Sequence, residues 1–318
     1  MIAVRVACLA TLAAIAARAD SIFVSDERGD DVRVISLPDH QVAAAIPVGK
    51  RPRGMSLSPD RRTVHVALGD EDAVAIVDVG TRKVVRKLHA GRDPEQVAVS
   101  PDGKVLYVSN EAASTSTAIE IASGRVLFAS PVGTEPEGVA VAPDGSRVYV
   151  TGESTDDVTV LDARSGRVLG KFSVGARPRW VAFSPDGLVA FVTAEVGGTL
   201  SFVDARASRV AGTVRIGNGQ TKPDGLAVSP DGKRVYVSEG RGAAVTIVDS
   251  VGRSVLSRIR VGERPWGIAL SPDGARLYTA NGASDDVSVV DTAAGKEVAR
   301  IAVGKKPYGV LYVPEPKP

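Results

Sequence analysis

Seven side chains of very different chemistry stand at one place in a repeated frame: Arg53, Glu95, Glu137, Arg179, Asp224, Trp266 and Tyr308. Each follows a proline, and for most of them that proline closes a Gly-x-x-Pro element, as in Gly49–Pro52, Gly133–Pro136 and Gly262–Pro265. Guanidinium groups, carboxylates and aromatic rings brought to one axis would form a polar binding site with stacking surfaces. The carboxylates could also exchange protons with a substrate, and Arg179 could stabilise charge on it. A solvated rim whose charges neutralise one another is equally open on these residues.

The next position is glycine in five repeats, Gly54, Gly138, Gly225, Gly267 and Gly309, which suits strands crowding a common axis. Gln96 and Trp180 break that rule. Trp180 needs room, so the pair Arg179 and Trp180 is expected to mark the ligand-facing side; a tryptophan filling a gap between repeats is the alternative. A second variable set follows the second predicted strand. Glu27, Glu111, Glu153 and Glu195 stand where other repeats have Gly69, Gly240 and Gly282, and Asp30-Asp31, Asp70 to Asp72, Asp156-Asp157 and Asp285-Asp286 add further acid. Such a face could hold Ca²⁺, which takes several oxygen ligands, but no loop carries a compact calcium motif.

The frame itself is set by Ser-Pro-Asp-Gly or a near copy, beginning at Ser58, Ser100, Ala142, Ser184, Ser229 and Ser271. The steps are 42 residues, except for one of 45 between Ser184 and Ser229. A period in the forties is that of a propeller or solenoid. Within Gly133 to Val174, short apolar runs alternate with turns: Gly138–Ala142, Val148–Thr151, Val158–Leu161 and Val168–Val174. The segment 142–145 has Pro second and Gly fourth, as a type I turn prefers. Four short strands joined by tight turns form one antiparallel blade. The second-strand signature recurs from Phe23 to Tyr278 and predicts an all-β, seven-bladed β-propeller of four-stranded antiparallel blades. The mature chain enters at the second-strand position, so the last run, Gly309–Val313, should complete the first blade and close the ring. The repeated turns, and the aspartates 78, 162, 204, 249 and 291 after each third strand, are read as scaffold.

Residues 1–19 differ in kind. Arg5 precedes an apolar run from Val6 to Ala17, and Ala17-Arg18-Ala19 supplies a small-x-small cleavage pattern, so a signal peptide is expected there and the propeller at 20–318. The run is too short for a membrane span. Cys8, the one cysteine, lies inside it, which removes disulfide and thiolate chemistry from the mature chain. The expectation is an exported monomer, periplasmic or secreted. A net charge of +2 gives no bulk drive towards nucleic acid or anionic membrane. The histidines, His40, His65 and His89, share no repeat position and form no evident metal triad.

The unit 147–151, Arg-Val-Tyr-Val-Thr, followed by 157–162, Asp-Val-Thr-Val-Leu-Asp, resembles the YVTN-family β-propeller repeat across essentially the whole mature chain. Seven such repeats behind a signal peptide are similar to the propeller proteins associated with catabolism dependent on pyrroloquinoline quinone (PQQ). That resemblance implies an accessory role in PQQ-dependent alcohol oxidation. The residues favour a non-catalytic propeller that binds a small molecule or a periplasmic protein partner on its top face, at Arg53, Glu95, Glu137, Arg179, Trp180, Asp224, Trp266 and Tyr308. No resident cofactor, metal ligand set or catalytic residue is assigned, with PQQ association and Ca²⁺ left open. The alternative is a lactonase-like hydrolase using Glu95, Glu137 and Arg179 at the channel mouth.

Overall fold

The computed structural model of the protein describes residues 20–37 and 39–315; the expected signal segment lies outside the described residues. The described chain forms 28 strands in seven four-stranded antiparallel sheets, each one blade. Blade four shows the plan, with Pro136–Val141 innermost, then Arg147–Gly152, Asp157–Asp162 and, outermost, Val168–Ser173. The two middle strands are buried on both faces, because each blade is covered by its neighbours. Hence their sequences read as continuous β-branched and aromatic runs rather than alternating ones. Only the outermost strand meets solvent along its length.

The ring closes as the sequence requires. Ser21–Asp26 pairs with Asp31–Ser36 on one side and with the C-terminal strand Pro307–Val313 on the other, with Ile22 opposite Tyr312 and Phe23 opposite Leu311. Blade one is thus built from both ends of the chain, which removes two exposed strand edges.

The Ser-Pro-Asp-Gly segments are backbone devices throughout. Ser100 Oγ donates to Asp102 Oδ1 at 2.6 Å and accepts from Val105 N–H at 2.9 Å. The same pair of bonds recurs at Ser229, with Asp231 and Arg234. Gly103, Gly145, Gly187, Gly232 and Gly274 adopt φ of 71–73°, where glycine has no steric cost. The aspartates after the third strands cap turns as read, for example Asp162 Oδ1 accepting from Ser165 N–H at 2.8 Å.

A further seven-fold device points the variable side chains at the axis. The residue before each inner-strand proline is Arg51, Asp93, Glu135, Arg177, Lys222, Arg264 or Lys306, and all lie at φ of 51–59°. That left-handed turn aims the carbonyl at the neighbouring loop, where it accepts the N–H of the residue after the second strand. The bonds run from Gly69 to Arg51 (3.0 Å), Glu111 to Asp93 (2.8 Å), Glu195 to Arg177 (2.8 Å) and Gly282 to Arg264 (3.0 Å). Loop aspartates fix the other side of the turn: Asp30, Asp72, Asp156 and Asp285 accept the backbone N–H of Arg51, Asp93, Arg177 and Lys306 at 2.7–3.1 Å. Four of the loop aspartates that suggested a calcium face therefore hold backbone in place.

Candidate functional site

The loops from strand four to strand one and from strand two to strand three share one face, and together they rim a cavity of about 820 Å³ at the channel mouth. Arg53, Glu95, Glu137, Arg179 and Trp266 line it. Asp224 and Tyr308 are buried in the same ring. The contacts run round the circle. Arg53 contacts Glu95, and its guanidinium lies 3.9 Å from the Tyr308 ring centroid. Tyr308 packs against Trp266 at 5.6 Å, and Arg179 sits 5.7 Å from the indole. Arg179 also pairs with Glu137 at 2.7 Å, contacts Glu153, and lies 3.8 Å from Asp224. The seven unlike residues after the prolines thus meet as expected.

Trp180 does not join them. Side chains alternate along a strand, so neighbours of inward-facing residues turn into the blade interfaces. Trp180 packs between blades five and six, against the cluster containing Phe191, Phe202, Leu226 and Val237. This corrects its expected place on the ligand face; the gap-filling alternative holds. Glycine at the equivalent positions is required by close approach of inner strands: a Cβ at Gly138 would lie 2.7 Å from Arg179 O, and one at Gly267 2.7 Å from Tyr308 O. The inserted loop before Pro223 does not line the cavity; its Lys222 pairs with Glu195 at 3.0 Å.

A second ring, around the first, was not anticipated from the sequence. Arg51 pairs with Asp93 at 2.5 Å and contacts Glu95; Arg177 contacts Glu153 and pairs with Glu195 at 3.1 Å; Lys306 pairs with Glu27 at 2.8 Å. The signal was present, since every residue before an inner-strand proline is charged. It was obscured because those positions read as backbone connectors.

Electrostatics divide the carboxylates. Burial would raise Glu95, but Arg53 and Arg51 outweigh it and hold the carboxyl below its usual range. Burial pushes Glu137 well above that range despite Arg179. Burial raises Asp224 to about 6, again against Arg179. Burial and the charge of Glu95 lift Glu111 to about 7. The mouth therefore contains a carboxylate held ionised, Glu95, and neighbours that keep protons towards neutral pH. Asp93, Glu95 and Glu111 bring oxygens within 4.8 Å of one another, a spacing a cation could use. Arg51 and Arg53 already supply fixed positive charge to that trio, which weighs against a divalent ion there.

A family model described as the seven-bladed β-propeller lactonase matches residues 81–169 and 166–298. The chain belongs to the seven-bladed lactonase β-propeller family. A second model, the YNCE-like β-propeller, matches residues 1–107 of this lactonase-family propeller. Solved structures agree on architecture. A Desulfotomaculum acetoxidans protein of unknown function superposes with a TM-score of 0.82 at 16% identity, over 92% of this chain and 98% of its own. A candidate 6-phosphogluconolactonase from Bacteroides fragilis gives 0.78 at 20%, over 94% and 99%. Hydrazine synthase of Kuenenia stuttgartiensis gives 0.75 at 23%, over 81% and 88%. At these identities the likeness is one of fold. No curated protein matches the chain.

Proposed function

We propose that the channel mouth binds one small, polar, oxygen-rich molecule. The observation that carries this reading is a set of buried N–H donors in the ring with no acceptor: Arg53 Nε, Arg179 Nε and Trp266 Nε1. A buried donor left unpaired is costly, and a ligand oxygen removes that cost. The fixed surrounding charge and the cavity's volume suit a drug-sized rather than a macromolecular occupant. The molecule acts as an exported binding protein in this reading, and the YVTN resemblance makes PQQ, a planar tricarboxylate, one ligand to test; Arg53, Arg179 and the Trp266 N–H are the groups that would hold it. Thermal-shift screening of residues 20–318 against PQQ, sugar acids and lactones tests the reading, because a ligand of the folded state alone raises its stability. A hit abolished by Arg179→Ala supports it; a panel with no shift overturns it.

Family membership and the divided carboxylates favour a second reading, hydrolysis of a lactone at the same mouth. Glu95, held ionised, would take a proton from water as hydroxide adds to the carbonyl carbon. Arg179 would face the developing oxyanion, and Glu137 would return a proton to the ring oxygen as the C–O bond breaks. Turnover of a lactone panel, lost in Glu95→Gln, would establish it.

A further inference from the structure

The mouth is not electrostatically uniform. Around blades two to six, each cation of the mouth has a carboxylate partner: Arg51 with Asp93, Arg53 with Glu27 and Glu95, Arg177 with Glu195, Arg179 with Glu137, and Lys222 with Glu195. In the sector of blades seven and one, Arg28, Arg264 and Lys305 line the cavity, and among the described residues none of the three forms an ion pair. Of the carboxylates nearby, Glu27 is paired with Lys306, and Asp285 lines the same sector with no ion pair among the described residues, so the three cations outnumber it. Glu27 holds Lys306 at 2.8 Å, and Asp285 Oδ1 accepts Lys306 N–H at 2.7 Å.

Backbone joins two of the three loops that carry these cations. Arg28 N–H donates to Lys305 O at 3.2 Å, joining the two loops. The Arg264 guanidinium lies 4.5 Å from the Trp266 ring centroid, which orients it without using its N–H groups. Trp266 Nε1–H is buried there with no acceptor. Gly282 stands where other blades carry glutamate, and a Cβ at that position would lie 2.6 Å from Trp266 Nε1. The missing side chain thus leaves Trp266 Nε1 without the glutamate that four other blades carry at this position.

We propose that this sector is an anion subsite, in which Arg28, Arg264, Lys305 and the Trp266 N–H take the oxygens of a carboxylate or phosphate on a small organic acid. The inference rests on the reading that the mouth binds a small molecule, and it adds the ligand's charge and its orientation. The anionic end lies towards blades seven and one, and the uncharged hydroxyl-rich end towards Glu95, Glu111 and Glu137.

The chain has two tryptophans, Trp180 and Trp266, so Trp266 emission can be read alone in Trp180→Phe. Titration of that protein with citrate and, separately, with inorganic phosphate should change the emission and raise Tm, with the stronger of the two identifying the anion class. In R28Q/R264Q/K305Q the affinity should fall at least about tenfold, the loss expected for charge-assisted hydrogen bonds, and the wild-type affinity should weaken as salt rises. The side chains replaced are exposed, so circular dichroism and the unliganded Tm should stay unchanged. No response to either anion up to about 10 mM, weaker than useful specific binding, overturns the subsite. So does anion binding within about twofold of wild type in the triple variant. If neutral lactones or sugars bind the mouth while anions do not, the binding reading stands and the anion subsite falls; if nothing binds, both fall.

Discussion

Arg179 is 6% exposed and meets Glu137, Glu153 and Asp224. Removing one partner of a buried ion-paired group leaves the others uncompensated, so Arg179→Met should cost about 3–5 kcal/mol of stability. The loss should be smaller at pH 5 than at pH 8, because the stranded carboxyls then bind protons; urea unfolding at both values checks it. His65 gives an opposite pH signature. It replaces the aromatic of other second strands, and burial lowers it to about 4. Between about 6.5 and about 4 the unfolded chain binds a proton that the native state refuses, so this residue makes stability fall as pH drops. Asp224 acts in the other sense. With its native value raised to about 6, the folded state holds the extra proton, and stability declines as pH climbs from about 4 to about 6. His65→Tyr should abolish the first slope and Asp224→Asn the second, as read from unfolding free energies across that range. Trp180→Ala should destabilise by about 3 kcal/mol through lost packing and leave ligand affinity unchanged.

At the scale of the element, the inner strand and the turn before it decide the site. Gly138→Ala places a methyl against Arg179 O, a backbone atom that cannot rotate away. Overpacking of this kind should cost about 1–3 kcal/mol, measurable by chemical denaturation, and should shift Arg179 and weaken ligand binding. Gly103→Ala lacks such a clash, its nearest neighbour being Pro59 Cδ at 3.5 Å, and its cost arises from φ of 73° instead. Asp156→Ala removes the acceptor of Arg177 N–H and should cost about 1 kcal/mol, loosening the turn that carries Arg177 towards Glu153. The strand pattern, the Ser-Pro-Asp-Gly turns and the third-strand caps were legible in the sequence because they rest on local bonds. The left-handed residue before each inner-strand proline was not, since in four blades its N–H is held by a loop aspartate 21 residues away, as in Asp156 with Arg177.

For the whole molecule, closure is the point of weakness. The strand Pro307–Val313 supplies the inner position of blade one, and its Tyr308 supplies the site. A chain ending at residue 306 should lose its cooperative thermal transition and self-associate through the opened edge, which scanning calorimetry and gel filtration would report. A circular permutant that joins the present termini and opens at an exposed outer turn should retain both.

Periodicity alone determined the blade count, the ring closure and the seven unlike residues after the prolines, because a repeat must bury the same positions against each neighbour. It placed seven of the eight expected site residues in one ring. Trp180 fell elsewhere, because alternation along a strand sends adjacent residues to opposite sides, and sequence spacing does not say which side is the channel. Charge balance was likewise a tertiary decision. Arg51, Arg177 and Lys306 find carboxylates on neighbouring loops, while among the described residues Arg28, Arg264 and Lys305 form no ion pair. A linear sequence sums those charges to +2 and conceals the division. Only the closed ring shows which cations stay uncompensated, because partners come from other loops, 42 residues away for Arg51 and Asp93 and 279 for Lys306 and Glu27.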